Sequence, residues 1–193
     1  MVGHSCNRLG DRMGLRSVAR FASGLWEGLF KEPQTTKETE TLWAGYVEPP
    51  EWEKGFSKAV FLDFDGVLHR GTSGTLRHLD RFEDFLSRWP DVGVVVVSDW
   101  RIGASLEDIR GYFSTQFRGR IFARTGEMEP VPHQRQREIT DLAGMLGINH
   151  YVVIDDDREL YSAGFAPLVT PDPAEGITGD DLEAVGKRIE GWA

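Results

Sequence analysis

Cysteine is nearly missing from this chain: Cys6 is the single one in 193 residues. That excludes an internal disulfide framework and a cysteine-based zinc site, and it is compatible with a reducing compartment, so a cytoplasmic location is expected. Long apolar runs are absent too. No stretch reaches 18 apolar residues, so no membrane-spanning helix is expected. A basic stripe of the kind that grips long polyanions is also missing, because residues 59–193 hold 14 basic and 23 acidic side chains, a net of −9. Neutralisation of phosphates dominates nucleic-acid affinity, so this balance works against a long nucleic-acid ligand. There is no internal repeat and no low-complexity tract.

What the chain does have is an apolar run that ends in carboxylates. Ala59, Val60, Phe61 and Leu62 suit a strand buried on both faces of a parallel sheet, and Asp63, Phe64, Asp65 and Gly66 follow at once. Two acidic groups at i and i+2 on extended backbone point the same way and repel each other unless a cation lies between them. Gly66 supplies the freedom to turn sharply after the second carboxylate. A second apolar run, residues 151–154, discharges Asp155, Asp156 and Asp157. Three adjacent aspartates at a strand end call for a divalent cation, and Mg2+ suits a site of hard oxygen ligands that uses one or two carboxylates plus a substrate phosphate.

The order Asp63-Phe64-Asp65-Gly66-Val67 after an apolar strand resembles the first motif of the haloacid dehalogenase (HAD) superfamily of phosphoryl-transfer enzymes. The resemblance implies that Asp63 is the nucleophile, forming an aspartyl-phosphate, and Asp65 the general acid and base. It implies that Ser98, after the run Gly93 to Val97, hydrogen-bonds the transferring phosphoryl group. It also implies a cation ahead of the last motif strand. Lys187 is the only lysine after Lys58, so an arginine must serve, either Arg135 or Arg137. Arg135 is preferred, because Arg135, Gln136, Arg137, Glu138 and Ile139 resemble the R-x-x-E-I pattern of the small HAD domains in Swiss-Army-knife RNA repair proteins. The metal ligands implied are Asp63, the main-chain carbonyl of Asp65, and Asp155 or Asp156. Gly66, His69 and Trp100 complete the residues expected beside the substrate, the last two at its leaving group. Asp99 departs from the subfamily, where a small or hydroxyl residue is more usual, and its charge works against polyanionic substrates.

Strand and helix signals alternate from Ala59 onward. Strands are expected at residues 59–62, 91–97, 121–123, 151–154 and 168–169, with helices at 78–89, 105–113, 134–146 and 180–189. Such alternation predicts an α/β fold, a Rossmann-like parallel sheet with helices on both faces and ligands at the carboxyl ends of the strands. The catalytic domain is therefore placed at residues 59–193. The intervals from Asp65 to Ser98 and from Ser98 to Arg135 leave no room for a large cap domain, so an open site is expected. Ahead of it, residues 1–30 read as a helical extension, with Leu15, Val18, Ala22, Leu25, Trp26 and Leu29 along one face. That face needs a surface, its own domain, a protein partner or a membrane surface. Residues 31–58, with Pro33, Pro49 and Pro50, read as a linker.

The leading expectation is a Mg2+-dependent phosphatase acting on a phosphorylated small molecule or a nucleic-acid end. The alternative is a catalytically weak domain of the same fold that binds a phospho-ligand or, through residues 15–30, a protein.

Overall fold

The computed structural model describes residues 45–53 and 55–192. The extension at residues 1–30 and the first part of the expected linker lie outside the described residues. From Gly45 on, the linker segment carries two short strands, β1 (Tyr46–Glu48) and β2 (Glu51–Trp52). Strands of two or three residues have no periodicity to read, which is why the sequence pattern does not reveal them.

The principal strands are β3 (Lys58–Leu62), β4 (Gly93–Val96), β5 (Ile121–Arg124), β7 (His150–Ile154) and β8 (Leu168–Val169), and β6 is the two-residue Glu127–Met128. The five principal strands and β2 form a six-stranded sheet in the order β2-β5-β4-β3-β7-β8, parallel throughout except for β2, which pairs antiparallel with β5 at the edge. β1 and β6 make a separate two-stranded ribbon. Arg124, nearly buried, ties these additions to the sheet, its Nη2 donating to Glu48 at 2.6 Å and Glu51 at 3.0 Å.

Successive residues of a strand face opposite sides, and each side here has its own core. Val60, Leu62, Val94, Val96, Val152 and Ile154 pack on one face; Ala59, Phe61, Val95 and Val153 pack on the other. Helices α1 (Leu79–Leu86), α2 (Leu106–Arg110) and α4 (Gly179–Glu190) cover the first face through residues such as Phe82, Ile109 and Val185. Helix α3 (Gln134–Leu146) covers the second through Ile139, Leu142 and Ala143. With both faces covered, near-continuous apolar strands are what the sheet requires.

Local chemistry sets the helix ends. Ser105 and Asp108 form a reciprocal capping box at α2, and Thr178 and Asp181 do the same at α4. Helix α3 stops at Gly147, whose φ of 66° is a left-handed conformation that glycine adopts without a Cβ penalty. Helices α1 and α2 are shorter than their apolar spacing predicts: α1 ends ahead of Pro90, and α2 ends at Gly111.

The chain from β3 to β5 builds outward on one side, and β7 and β8 return on the other side of β3. The crevice at such a reversal, outside the strands' carboxyl ends, is where open α/β sheets hold ligands. Between Asp65 and Ser98 the chain contains a loop, α1 and β4, with no inserted domain.

Candidate active site

Register brings the motif residues together. Leu62 stands level with Val96 on one neighbour and Ile154 on the other, so residues one or two positions beyond each strand end share one rim. Main-chain bonds carry the alignment past the strands. Asp63 N donates to Ile154 O at 2.9 Å, Val97 N to Leu62 O at 3.0 Å, and Asp155 N to Val169 O at 3.2 Å.

Asp63, Asp155 and Asp156 each bring one carboxylate oxygen into a group whose atoms all lie within 4.8 Å of one another. Asp155 is the most enclosed, and both its oxygens are engaged: Oδ2 accepts from Tyr161 Oη at 2.6 Å and Oδ1 from Asp157 N at 3.0 Å. Gly66 makes room for Asp156. Its φ is +67°, and a Cβ there would fall 2.3 Å from Asp156 Cγ, so the turn after Asp65 lies against that carboxylate as only glycine permits.

Arg135, buried at the start of α3, reaches across to the same group. Its Nη1 is 3.7 Å from Asp63 Oδ1 and 3.6 Å from Asp155 Oδ2, and its Nη2 donates to Asp99 Oδ1 at 2.7 Å. Arg137, the other arginine considered from sequence, is mostly exposed and pairs with Asp141 at 3.6 Å. Behind Arg135 lies a buried pair with no counterpart in the sequence-derived site. Arg101 Nη2 donates to Glu138 Oε2 at 2.8 Å, and Glu138 is also 3.5 Å from Arg135 Nε. Arg101 further donates to the carbonyls of Val97 and Gly126 and to Asp99 Oδ1. The signal for this pair was Arg101 one residue after the Ser-Asp-Trp stretch and Glu138 one helical turn after Arg135, but neither residue type alone distinguishes a buried support from a surface charge.

Electrostatics of the site follow from burial. Loss of water, with Asp155 close by, pushes the Asp63 carboxyl up to about 8, and burial with the Asp155 charge pushes Asp156 up to about 6. Burial raises Asp155 as well. Burial works against the charge on Arg135, but Asp155, Asp63 and Glu138 more than offset it, so its guanidinium is held above the ordinary value. The pocket between these groups is about 220 Å³ and is lined by Arg135, Leu160 and six aspartates, Asp63, Asp65, Asp99, Asp155, Asp156 and Asp157. Among the described residues, a single cation faces six carboxyl groups there. A divalent metal fits that donor set, since it would relieve the repulsion that burial alone cannot.

Asp65, whose side chain is about one-third exposed, stands at the pocket's edge. Its Oδ2 accepts from Trp100 Nε1 at 3.1 Å, and its Oδ1 is 3.1 Å from His69 Nε2. The sequence places His69 and Trp100 beside a leaving group; in the structure both address Asp65, and the His69 ring is wholly buried. Ser98 is wholly buried one residue beyond Val97, and Trp100 N donates to its Oγ at 3.5 Å. It does not line the pocket, though its O–H remains free to donate. The segment at residues 70–75 is exposed and tied at its base, with Gly66 N donating to Gly71 O at 2.8 Å and Gly71 N to Pro173 O at 2.9 Å.

Fold and rim together define a HAD-type α/β domain. The family described as HAD domain in Swiss Army Knife RNA repair proteins matches residues 59–182, and the chain belongs to it. No curated protein and no solved structure matches the chain. The family supports a HAD-type, phosphohydrolase-like function and a phosphorylated substrate. Among the described residues, no helix is long and apolar enough to cross a membrane.

Proposed function

We infer that this domain is a Mg2+-dependent phosphomonoesterase working through an aspartyl-phosphate. The observation that carries the reading is the convergence of Asp63, Asp155 and Asp156 from adjacent strands, with Arg135 facing Asp63 and Asp155. Asp63, Asp155, Asp156 and the main-chain carbonyl of Asp65 are the groups assigned to hold the metal. Bound there, Mg2+ would supply charge neutralisation for the phosphoryl oxygens and keep Asp63 ionised.

An ionised Asp63 oxygen attacks phosphorus, and the bond from phosphorus to the ester oxygen breaks as the new bond forms. The leaving oxygen takes its proton from the Asp65 carboxyl. Water then attacks the aspartyl-phosphate, gives its proton to the Asp65 carboxylate, and releases inorganic phosphate with Asp63 restored. Arg135 and Ser98 are assigned to the phosphoryl oxygens, Arg135 by charge and Ser98 by its hydroxyl. Phosphoryl transfer asks mainly for positioning and charge compensation, which these groups provide.

Among the described residues no inserted domain encloses the site, which favours a phosphate at the end of a larger molecule. The family's description in RNA repair proteins makes nucleotides and 3′- or 5′-phosphorylated oligonucleotides the substrates to try beside simple aryl and alkyl phosphates. The test compares turnover of this panel by wild type and Asp63→Asn, with Mg2+ and with chelator. The expected result is Mg2+-dependent turnover that Asp63→Asn abolishes. Equal rates for both proteins would remove the assigned nucleophile. Mg2+-dependent retention of a phospho-ligand without turnover would make the domain a binding module.

A further inference from the structure

His69 is wholly buried, although the residues that follow it, 70–75, are exposed. A buried imidazole nitrogen without a partner is costly, so its surroundings reveal what it serves. Its Nδ1 is 3.4 Å from Arg70 O. Its Nε2 makes no well-aligned hydrogen bond among the described residues, yet lies 3.1 Å from Asp65 Oδ1. The ring also leans on Trp100, centroids 5.7 Å apart, and Trp100 is braced in turn by Phe64 at 5.6 Å and Tyr112 at 5.3 Å. Trp100 directs its Nε1 to the other oxygen of Asp65. One oxygen of the Asp65 carboxyl is thus held by the Trp100 hydrogen bond, and the buried His69 nitrogen stands 3.1 Å from the other, in an aromatic wall anchored in the core. Among the described residues, Asp65 caps no helix, and its close polar side-chain contacts are with these two rings.

We propose that His69, together with Trp100, is a positioning residue for Asp65, holding its carboxyl at the pocket edge where it hands a proton to the departing ester oxygen. This rests on the assignment of Asp65 as acid and base made above. Trp100 fixes one oxygen, and the wholly buried His69 ring packs 3.1 Å from the other and closes with it when the site engages substrate, so rotation that would carry the acidic proton away from the leaving atom is suppressed. No bond to either ring forms or breaks. The proton moves from Asp65 to the ester oxygen as the phosphorus–oxygen bond breaks, and it returns from water in the second half of the cycle.

A positioned acid matters only when the leaving oxygen needs a proton. 4-Nitrophenolate departs without one; an alkoxide does not. General acid catalysis contributes about 10²–10⁴-fold, and a misplaced acid forfeits part of it. The experiment measures kcat/KM, which reports the first irreversible step, for 4-nitrophenyl phosphate and an alkyl phosphate with wild type, His69→Leu, His69→Gln, Trp100→Phe and Asp65→Asn. His69→Leu should lose roughly 10- to 100-fold more on the alkyl ester than on the aryl ester. His69→Gln, which retains a donor near the position of Nε2, should recover part of that difference, and Trp100→Phe should show a difference of the same sign.

Equal losses on both esters in His69→Leu and Trp100→Phe would overturn the proposal, leaving the rings a structural role only. So would unchanged rates. If Asp65→Asn shows the leaving-group difference and the ring variants do not, positioning fails and the acid assignment stands. If Asp65→Asn shows no such difference, or wild type hydrolyses neither ester, the underlying assignment fails and the proposal falls with it. Should His69→Leu not fold, His69→Gln and Trp100→Phe decide the matter by the same ratio.

Discussion

Replacing Gly66 by alanine probes the proposed metal site from behind, without substituting any of its carboxylates. At φ +67° an alanine pays about 1–2 kcal/mol for the left-handed backbone. Its Cβ would meet Asp156 Cγ and Oδ2 at 2.3 Å, so that carboxylate must retreat by about 1 Å to reach an ordinary contact. Displacing a group in the coordination sphere should weaken metal binding by about 10- to 100-fold, the range seen when ligand supports are lost. Both effects are readable by thermal unfolding. For a chain of this size, 1 kcal/mol moves Tm by about 2–4 °C, so metal-free Gly66→Ala should melt about 2–8 °C below wild type. At a Mg2+ concentration 100 times the wild-type Kd, binding contributes about 2.7 kcal/mol to wild type, a rise of about 5–11 °C. The variant, at the same concentration, should keep only about one-seventh to one-half of that rise. Asp156→Asn should lose the Mg2+ response without the backbone penalty. An undiminished Mg2+ response in Gly66→Ala would refute the placement of Asp156 in the metal site, and an unchanged metal-free Tm would refute the strained turn.

Other perturbations test the supporting groups. Removing one partner of the buried Arg101–Glu138 pair, as in Glu138→Ala, should destabilise the protein by about 3–5 kcal/mol, whereas Arg101→Met with Glu138→Met together should cost far less and still lower turnover by loosening Arg135; denaturant melts and kinetics on the same samples check this. Asp99→Ser frees Arg135 Nη2 from its 2.7 Å partner and should lower KM for phosphate esters, measured by initial rates. Without Mg2+, stability should fall as pH rises. The folded Asp63 carboxyl is raised to about 8 from an unfolded value near 4, so its contribution is complete below about pH 4 and is lost on passing up to pH 8, with Asp156 adding to the fall up to about pH 6. Thermal melts from pH 4 to 8 with chelator should show this decline, and excess Mg2+ should reverse it at the alkaline end; a rise in stability with pH in chelator would contradict it.

Much of this molecule was written locally. The five main parallel strands announce themselves as short apolar runs, because a strand covered on both faces has no solvent side to alternate with. Ends of α2, α3 and α4 follow from Ser105, Gly147 and Thr178, whose capping chemistry acts within a few residues. The clustering of Asp63 with Asp155 was legible for a related reason: each ends an apolar run, and in a parallel sheet such runs end on one side.

Other features depended on contacts between distant segments. The edge strand Glu51–Trp52 exists because β5 offers it an unpaired side, a property of the partner that no two-residue window contains. Resemblance favoured Arg135 over Arg137, but the physical difference between them comes from the rotation of α3 on the sheet, which buries one guanidinium beside Asp63 and leaves the other with Asp141. The roles of Arg101, Glu138 and Tyr161 arise only once folding removes water from them, since a charge or hydroxyl acquires a fixed partner when burial makes solitude expensive. Sequence by itself determined the class of fold and the residues that end its strands, because those depend on apolar period and local turns. Tertiary structure alone decided which side chains face the pocket and which stand behind them, because burial and distance are set by packing across the whole sheet.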